Sequence, residues 1–96
     1  DLYSPSDPLE TLDRIAMLAL LDTGADCFLR THPWAHFTGS ALLLSHDMTH
    51  VLLNHHKFLN KWLQFGGHAD GNADLRDVAR REVTEESGFD QVELVI

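Results

Sequence analysis

Glu82, Glu85 and Glu86 are the residues of this chain whose type and spacing bear most directly on chemistry. They fall in the stretch 74 to 87, which reads as a helix. At about 100° per residue, Leu75, Val78, Ala79 and Val83 share one side of that helix, the side expected to face a core. The three glutamates fall on the same side within an arc of about 100°. An ordinary surface helix sends its glutamates outward. Here Glu82 and Glu86 stand one turn apart with Glu85 beside them, so the carboxylates repel one another. Burying such a group without a partner costs several kcal/mol or drives it to its neutral form. A divalent cation removes both objections, because hard oxygen ligands suit Mg²⁺ and Mn²⁺. Spacing therefore predicts a metal site. The alternative is a last turn that projects from the core and leaves the glutamates solvated.

The flanking residues sharpen this expectation. Gly66-Gly67-His68-Ala69-Asp70-Gly71 precedes the helix, and Arg81-Glu82-Val83-Thr84-Glu85-Glu86-Ser87-Gly88-Phe89 closes it. The pattern resembles the box of the Nudix hydrolases. Gly67 takes its opening glycine, while Arg81, Glu82, Val83, Glu85, Glu86 and Gly88 match its closing residues, with Phe89 a large apolar residue in the last slot. The resemblance implies an α/β/α sandwich with a mixed central sheet, against which the box lies as loop, helix and loop. It implies Glu82, Glu85 and Glu86 as metal ligands with the Gly67 carbonyl as a further one. One of Glu85 and Glu86 would also help activate water, and Arg81 would orient a glutamate by ion pairing, a role suited to a fixed guanidinium fork. The implied cofactor is Mg²⁺, with Mn²⁺ as a substitute. The implied reaction is attack by water on a phosphorus, the metal neutralising phosphate charge and lowering the pKa of bound water.

Three departures qualify the match. The loop glutamate of the box falls on Ala73, which has no ligand. Asp74 beside it is better placed as the helix N-cap, with Asp77 in the first turn. Phe65 stands before the double glycine where the family often has proline. The resemblance also covers only residues 38 to 96, about the first half of such a domain, with the box at 67 to 89. The expected fold is thus an α/β Nudix-type sandwich, incomplete at its C-terminus, preceded by an extra helix and loop over residues 1 to 37. A half-sheet would leave an unpaired edge, which invites homodimerisation or strand exchange.

The elements that must position this site are legible in outline. Asp7-Pro8-Leu9-Glu10 reads as a helix start with Asp7 as N-cap, Pro8 at the first position and Glu10 closing a capping box. Leu9, Leu12, Ile15, Ala16, Ala19 and Leu20 give that helix an apolar docking face, and Thr23-Gly24 ends it. Ala41-Leu42-Leu43-Leu44 suits a buried strand. His46-Asp47-Met48-Thr49 supplies a turn, and residues 50 to 54 a returning strand. Residues 61 to 65 form a third strand running into a sharp turn at Gly66-Gly67. Gly88 is placed to end the box helix in a left-handed conformation, and Gln91 to Ile96 begins another strand.

Several other residues invite chemical readings. His68 lies beside the expected metal and is placed to touch a phosphate. Trp62 shares a strand face with Gln64 and is a candidate for stacking on a nucleobase, against the plainer reading of packing. His55 and His56 look like a transition-metal pair, but neighbours on a strand point to opposite faces and seldom share an ion. Cys27, the one cysteine, excludes an intramolecular disulfide and makes a reducing compartment, hence the cytoplasm, the expectation. It has no basic neighbour to depress its pKa and is not expected to act as a nucleophile.

The 96 residues predict one domain. With 15 acidic against 7 basic residues, the net charge of -8 excludes a phosphate-backbone binder, which needs a basic face. A small nucleotide held through cations remains compatible with that charge. No stretch is long and apolar enough to suggest a membrane span. The leading expectation is a Mg²⁺-dependent hydrolase of a phosphoanhydride in a nucleoside triphosphate, a dinucleotide or a nucleoside diphosphate linked to another group. Ala73 motivates the alternative, a non-catalytic Nudix-like module that binds a nucleotide or a protein. A histidine-rich metal binder is the third expectation.

Overall fold

The structure, a computed structural model, describes residues 3 to 95. Its elements run α1 (Pro8–Leu21), a one-turn 3-10 helix (Ala25–Phe28), β1 (Thr38–Ala41), β2 (Leu43–Leu44), β3 (Val51–Leu52), β4 (Asn54–His56), β5 (Lys61–Leu63), β6 (Phe65–His68) and α2 (Leu75–Ser87). This is a mixed α/β chain.

The strands form three antiparallel ribbons. β1 pairs with β6 from Thr38↔His68 to Ala41↔Phe65, β2 with β3 through Leu43↔Leu52, and β4 with β5 from Asn54↔Leu63 to His56↔Lys61. Each of the three strand stretches read from the sequence is therefore divided in two, and each half pairs with a different neighbour. Among the described residues every pairing is antiparallel, so the mixed sheet expected from the resemblance is not seen here. Residues 88 to 95 carry no strand, in contrast to the expectation for Gln91 to Ile96, whose last residue lies outside the described residues. A strand needs a partner for its backbone groups, and this stretch has none in the ladders.

The core lies between α2 and the β1–β6 ribbon. Phe65, Ala69, Val78, Ala79 and Val83 are buried there, with Val78 wholly enclosed. Gly39 explains how closely the layers approach: a Cβ built on it would lie 2.8 Å from the Leu75 carbonyl oxygen and 2.9 Å from a Val78 methyl. Only glycine lets helix and strand meet at that distance. The run Ala41 to Leu44, expected inside, is mostly at the surface, with Leu42 and Leu44 exposed. An apolar run states that a strand wants cover, and among the described residues little lies on this one. With residues 89 and 91 to 95 it bounds an open groove of about 1440 Å³. The radius of gyration, 15.0 Å, accordingly exceeds the about 13 Å of a fully packed domain of this length.

α1 begins as its sequence dictates. The Asp7 carboxylate accepts from the Glu10 N–H at 2.8 Å. The reciprocal bond of the expected capping box goes elsewhere: the Glu10 carboxylate accepts from the Ser6 N–H and hydroxyl. The apolar face expected to dock is uncovered, and no α1 residue is buried. Residues 25 to 37 are tied to the rest of the chain through the loop after β6. The Gly71 N–H donates to the Phe28 carbonyl, Arg30 pairs with Asp70 at 3.0 Å, and Cys27 is buried. Among the described residues no helix is long and apolar enough to cross a membrane.

Candidate active site

Helix α2 is built to hold its position. Asp74 caps it, its carboxylate accepting from the N–H groups of Arg76 and Asp77. The Arg76 side chain donates to the same carboxylate, and this contact, ahead of the backbone bond from Asp77, holds the Asp74 pKa below the usual carboxylate range. The Asp74 carboxylate is thereby committed to the helix start and does not stand in for the glutamate that Ala73 lacks. Gly88 closes the helix in the left-handed region at φ 82°, its N–H reaching the Thr84 carbonyl.

The three glutamates fan from core to solvent. Glu82 is the inner one, its side chain only 15% exposed, whereas Glu85 is 61% exposed. Glu86 is also exposed. The sequence reading put all three on the core side. The structure keeps only Glu82 there.

Each of the three touches strand β6 or Arg81. The Glu82 carboxylate lies over the bare α-carbon of Gly67, where an added Cβ would come within 2.6 Å of Cδ and 2.8 Å of both oxygens. One Glu86 oxygen accepts from the Gly66 N–H at 3.0 Å and the other from the Asn54 side-chain amide at 3.3 Å. Arg81 Nη2 donates to the His68 carbonyl at 2.7 Å and to Glu82 at 3.2 Å, and its Nε stands 4.0 Å from Glu85. The expected sharp turn at Gly66-Gly67 is absent. Both glycines lie in β6, opposite Ser40 and Gly39, and the chain turns instead at Asp70-Gly71, both of positive φ. A glycine pair reads as a turn from sequence, but here Gly67 is needed for the approach of Glu82.

His68 ends β6 with its ring against His36, Nδ1 to Nε2 at 3.0 Å. No sequence spacing announces this contact across 32 positions. Trp62 is 67% exposed and packs against the ring of His55 at a tilt of 54°, centroids 4.9 Å apart. In the β4–β5 register Trp62 faces with His55, on the side opposite Asn54 and Leu63. Asn54, and not Trp62, therefore reaches α2. His55 also contacts the Asn60 side-chain carbonyl, and the His56 ring accepts from the Leu59 N–H. The two histidines have separate partners on opposite faces.

Among the described residues no group of three or more His, Cys, Asp and Glu side chains is arranged to hold a metal ion. The glutamates instead engage Arg81, Asn54 and the Gly66 N–H. Their donor chemistry nevertheless fits a hard divalent cation, and the cradle over Gly67 brings the inner carboxylate against the loop backbone. No family model matches the chain, and no curated protein matches it.

Proposed function

We propose that this chain carries the catalytic box of a Mg²⁺-dependent, Nudix-type hydrolase that cleaves a phosphoanhydride bond. The substrate class is a nucleoside triphosphate or a nucleoside diphosphate joined to a second group. The observation that carries the reading is the joining of β6 and α2 through Glu82 against Gly67, Glu86 on the Gly66 N–H, and Arg81 on the His68 carbonyl.

Glu82, Glu85, Glu86 and the Gly67 carbonyl would hold Mg²⁺, or Mn²⁺ in its place. The metal, when bound, would neutralise phosphate charge and lower the pKa of water. Arg81 holds the loop backbone at His68 and restrains Glu82. Glu85 and Glu86, at the open edge, are the carboxylates that water and substrate can reach, and one of them takes the proton of the attacking water. His68 contacts a phosphate oxygen, whereas Trp62, on the strand face turned away from Asn54 and α2, is left to its contact with His55. A Nudix-type sandwich and a cytoplasmic setting belong to the same proposal.

A second reading has its own support. Ala73 supplies no carboxylate, Asp74 is spent on the cap, and the glutamates are paired with protein groups. These features suit a module that binds a nucleotide without turning it over. Incubation with Mg²⁺ and a panel of nucleoside triphosphates and diphosphate conjugates separates the two. Hydrolysis that requires Mg²⁺ and is lost in Glu86→Gln supports the enzyme. Equal turnover in that variant sinks it, and nucleotide binding without product supports the module.

A further inference from the structure

His36 has no place in the reading above, yet its ring lies directly against the ring of His68. It lies in the loop before β1, half-buried, with its Nε2 3.0 Å from His68 Nδ1 and the rings 5.1 Å apart at 29°. His68 is thus fixed twice, its backbone carbonyl by Arg81 and its ring by His36.

Such a contact contains a single proton, carried by one ring or the other. A phosphate oxygen only accepts, so a His68 that meets one through Nε2 must carry hydrogen there. In a neutral imidazole Nδ1 is then a lone pair and must accept. Among the described residues the partner at that atom is His36, which must therefore donate from its own Nε2. A histidine bonded through one nitrogen has its tautomer and ring direction set for the task of the other, as in the outer-shell partners of metal-bound histidines.

We propose that His36 is a positioning residue that holds His68 in the Nε2–H form, ready to donate to a phosphate oxygen of a nucleotide. The proposal rests on the reading of His68 as a phosphate contact. It does not require that hydrolysis occur.

The test uses the whole chain labelled with ¹⁵N at histidine, with ADP and Mg²⁺ as the probe. In the free protein His68 Nδ1 is expected at the shift of an unprotonated ring nitrogen and Nε2 at that of a protonated one. His36→Phe, which keeps a ring but removes the donor, should return His68 to a mixture of tautomers. His36→Gln, whose amide nitrogen can take the place of Nε2, should restore the wild-type pattern. ADP should shift the His68 ring signals, with affinity lowered about tenfold by His36→Phe, the factor set by one hydrogen bond of ordinary net strength. The glutamine variant should stay near wild type. Unfolding of His36→Phe, visible in the amide spectrum, would leave the glutamine variant and the wild-type tautomer to decide. A protonated His68 Nδ1 in the free protein overturns the proposal. So does an ADP titration that leaves the His68 ring unmoved, or equal affinity in the phenylalanine variant. ADP binding through His68 with no hydrolysis of any nucleotide would instead count against the enzyme reading and leave His36 in its role.

Discussion

Two glycines separate site geometry from fold stability. In Gly67→Ala the new methyl would meet the Glu82 carboxylate at 2.6 Å, against an ordinary contact distance of at least 3.4 Å. The far end of a flexible side chain can move, so Glu82 retreats by about 0.8 Å, near the 1 Å misplacement that costs a catalytic site about 100-fold. The fold loses little, about 1 kcal/mol, the scale of one displaced torsion. In Gly39→Ala the methyl meets the Leu75 carbonyl oxygen at 2.8 Å and Val78 at 2.9 Å. Neither a helix backbone nor a sealed core valine has room to yield, so this overpacking costs about 1–3 kcal/mol. Thermal melting followed by circular dichroism, alongside Mg²⁺-dependent nucleotide hydrolysis, reads both effects. Gly67→Ala should melt near wild type and hydrolyse about 100-fold more slowly, while Gly39→Ala should melt well below it. Full turnover in Gly67→Ala would refute a working role for Glu82 at that glycine. A melting loss in Gly67→Ala as large as in Gly39→Ala would refute the distinction between the two contacts.

Other consequences follow from the same geometry. Val78→Ala removes about two methylene equivalents from a sealed position, about 1.6 kcal/mol of transfer free energy, and the cavity raises this to about 2 kcal/mol. Chemical denaturation should show a lower midpoint at unchanged slope, and an unaltered midpoint would mean that α2 does not pack there. The lowered pKa of Asp74 fixes the sign of a pH effect. Its cap contributes fully above the unfolded carboxylate value, about 3.9, and is lost only as pH falls through the still lower folded value. The melting difference between wild type and Asp74→Ala should thus stay constant from about pH 7 to 5 and shrink below about 4. A difference that disappears between pH 7 and 5 would contradict the bonding described for that carboxylate.

The box helix was legible because its determinants are local. Asp74 and Gly88 mark its ends, and the stripe Val78, Ala79 and Val83 repeats at helical spacing. The start of α1 was legible for the same reason, down to the Asp7 cap. What failed depended on distant partners. Ala41 to Leu44 are as apolar as a buried strand, but the sequence does not say what covers them. Gly66 and Gly67 have the composition of a turn, and only the approach of Ser40 and Glu82 reveals why they sit in a strand. The fan of the glutamates depended on what packs against α2, with Gly67 under Glu82 and Asn54 beside Glu86, which periodicity within one helix does not encode. His36 met His68 through tertiary folding alone. Ser6, rather than Asp7, receives the Glu10 carboxylate because its N–H and hydroxyl offer two donors together.

The central claim is that the carboxylates of α2 bind a divalent cation beside Gly67, and Mn²⁺ titration followed by electron paramagnetic resonance tests it most directly. Wild-type protein should remove the free Mn²⁺ signal with one saturable site, competed by Mg²⁺. Glu82→Gln and Glu86→Gln should each weaken that site about tenfold or more, as loss of a charged oxygen ligand requires, while Asp47→Asn, whose carboxylate is bonded within the β2–β3 turn to Ser45 and Thr49, should leave it unchanged. Equal Mn²⁺ affinity in wild type and both glutamate variants would contradict the account.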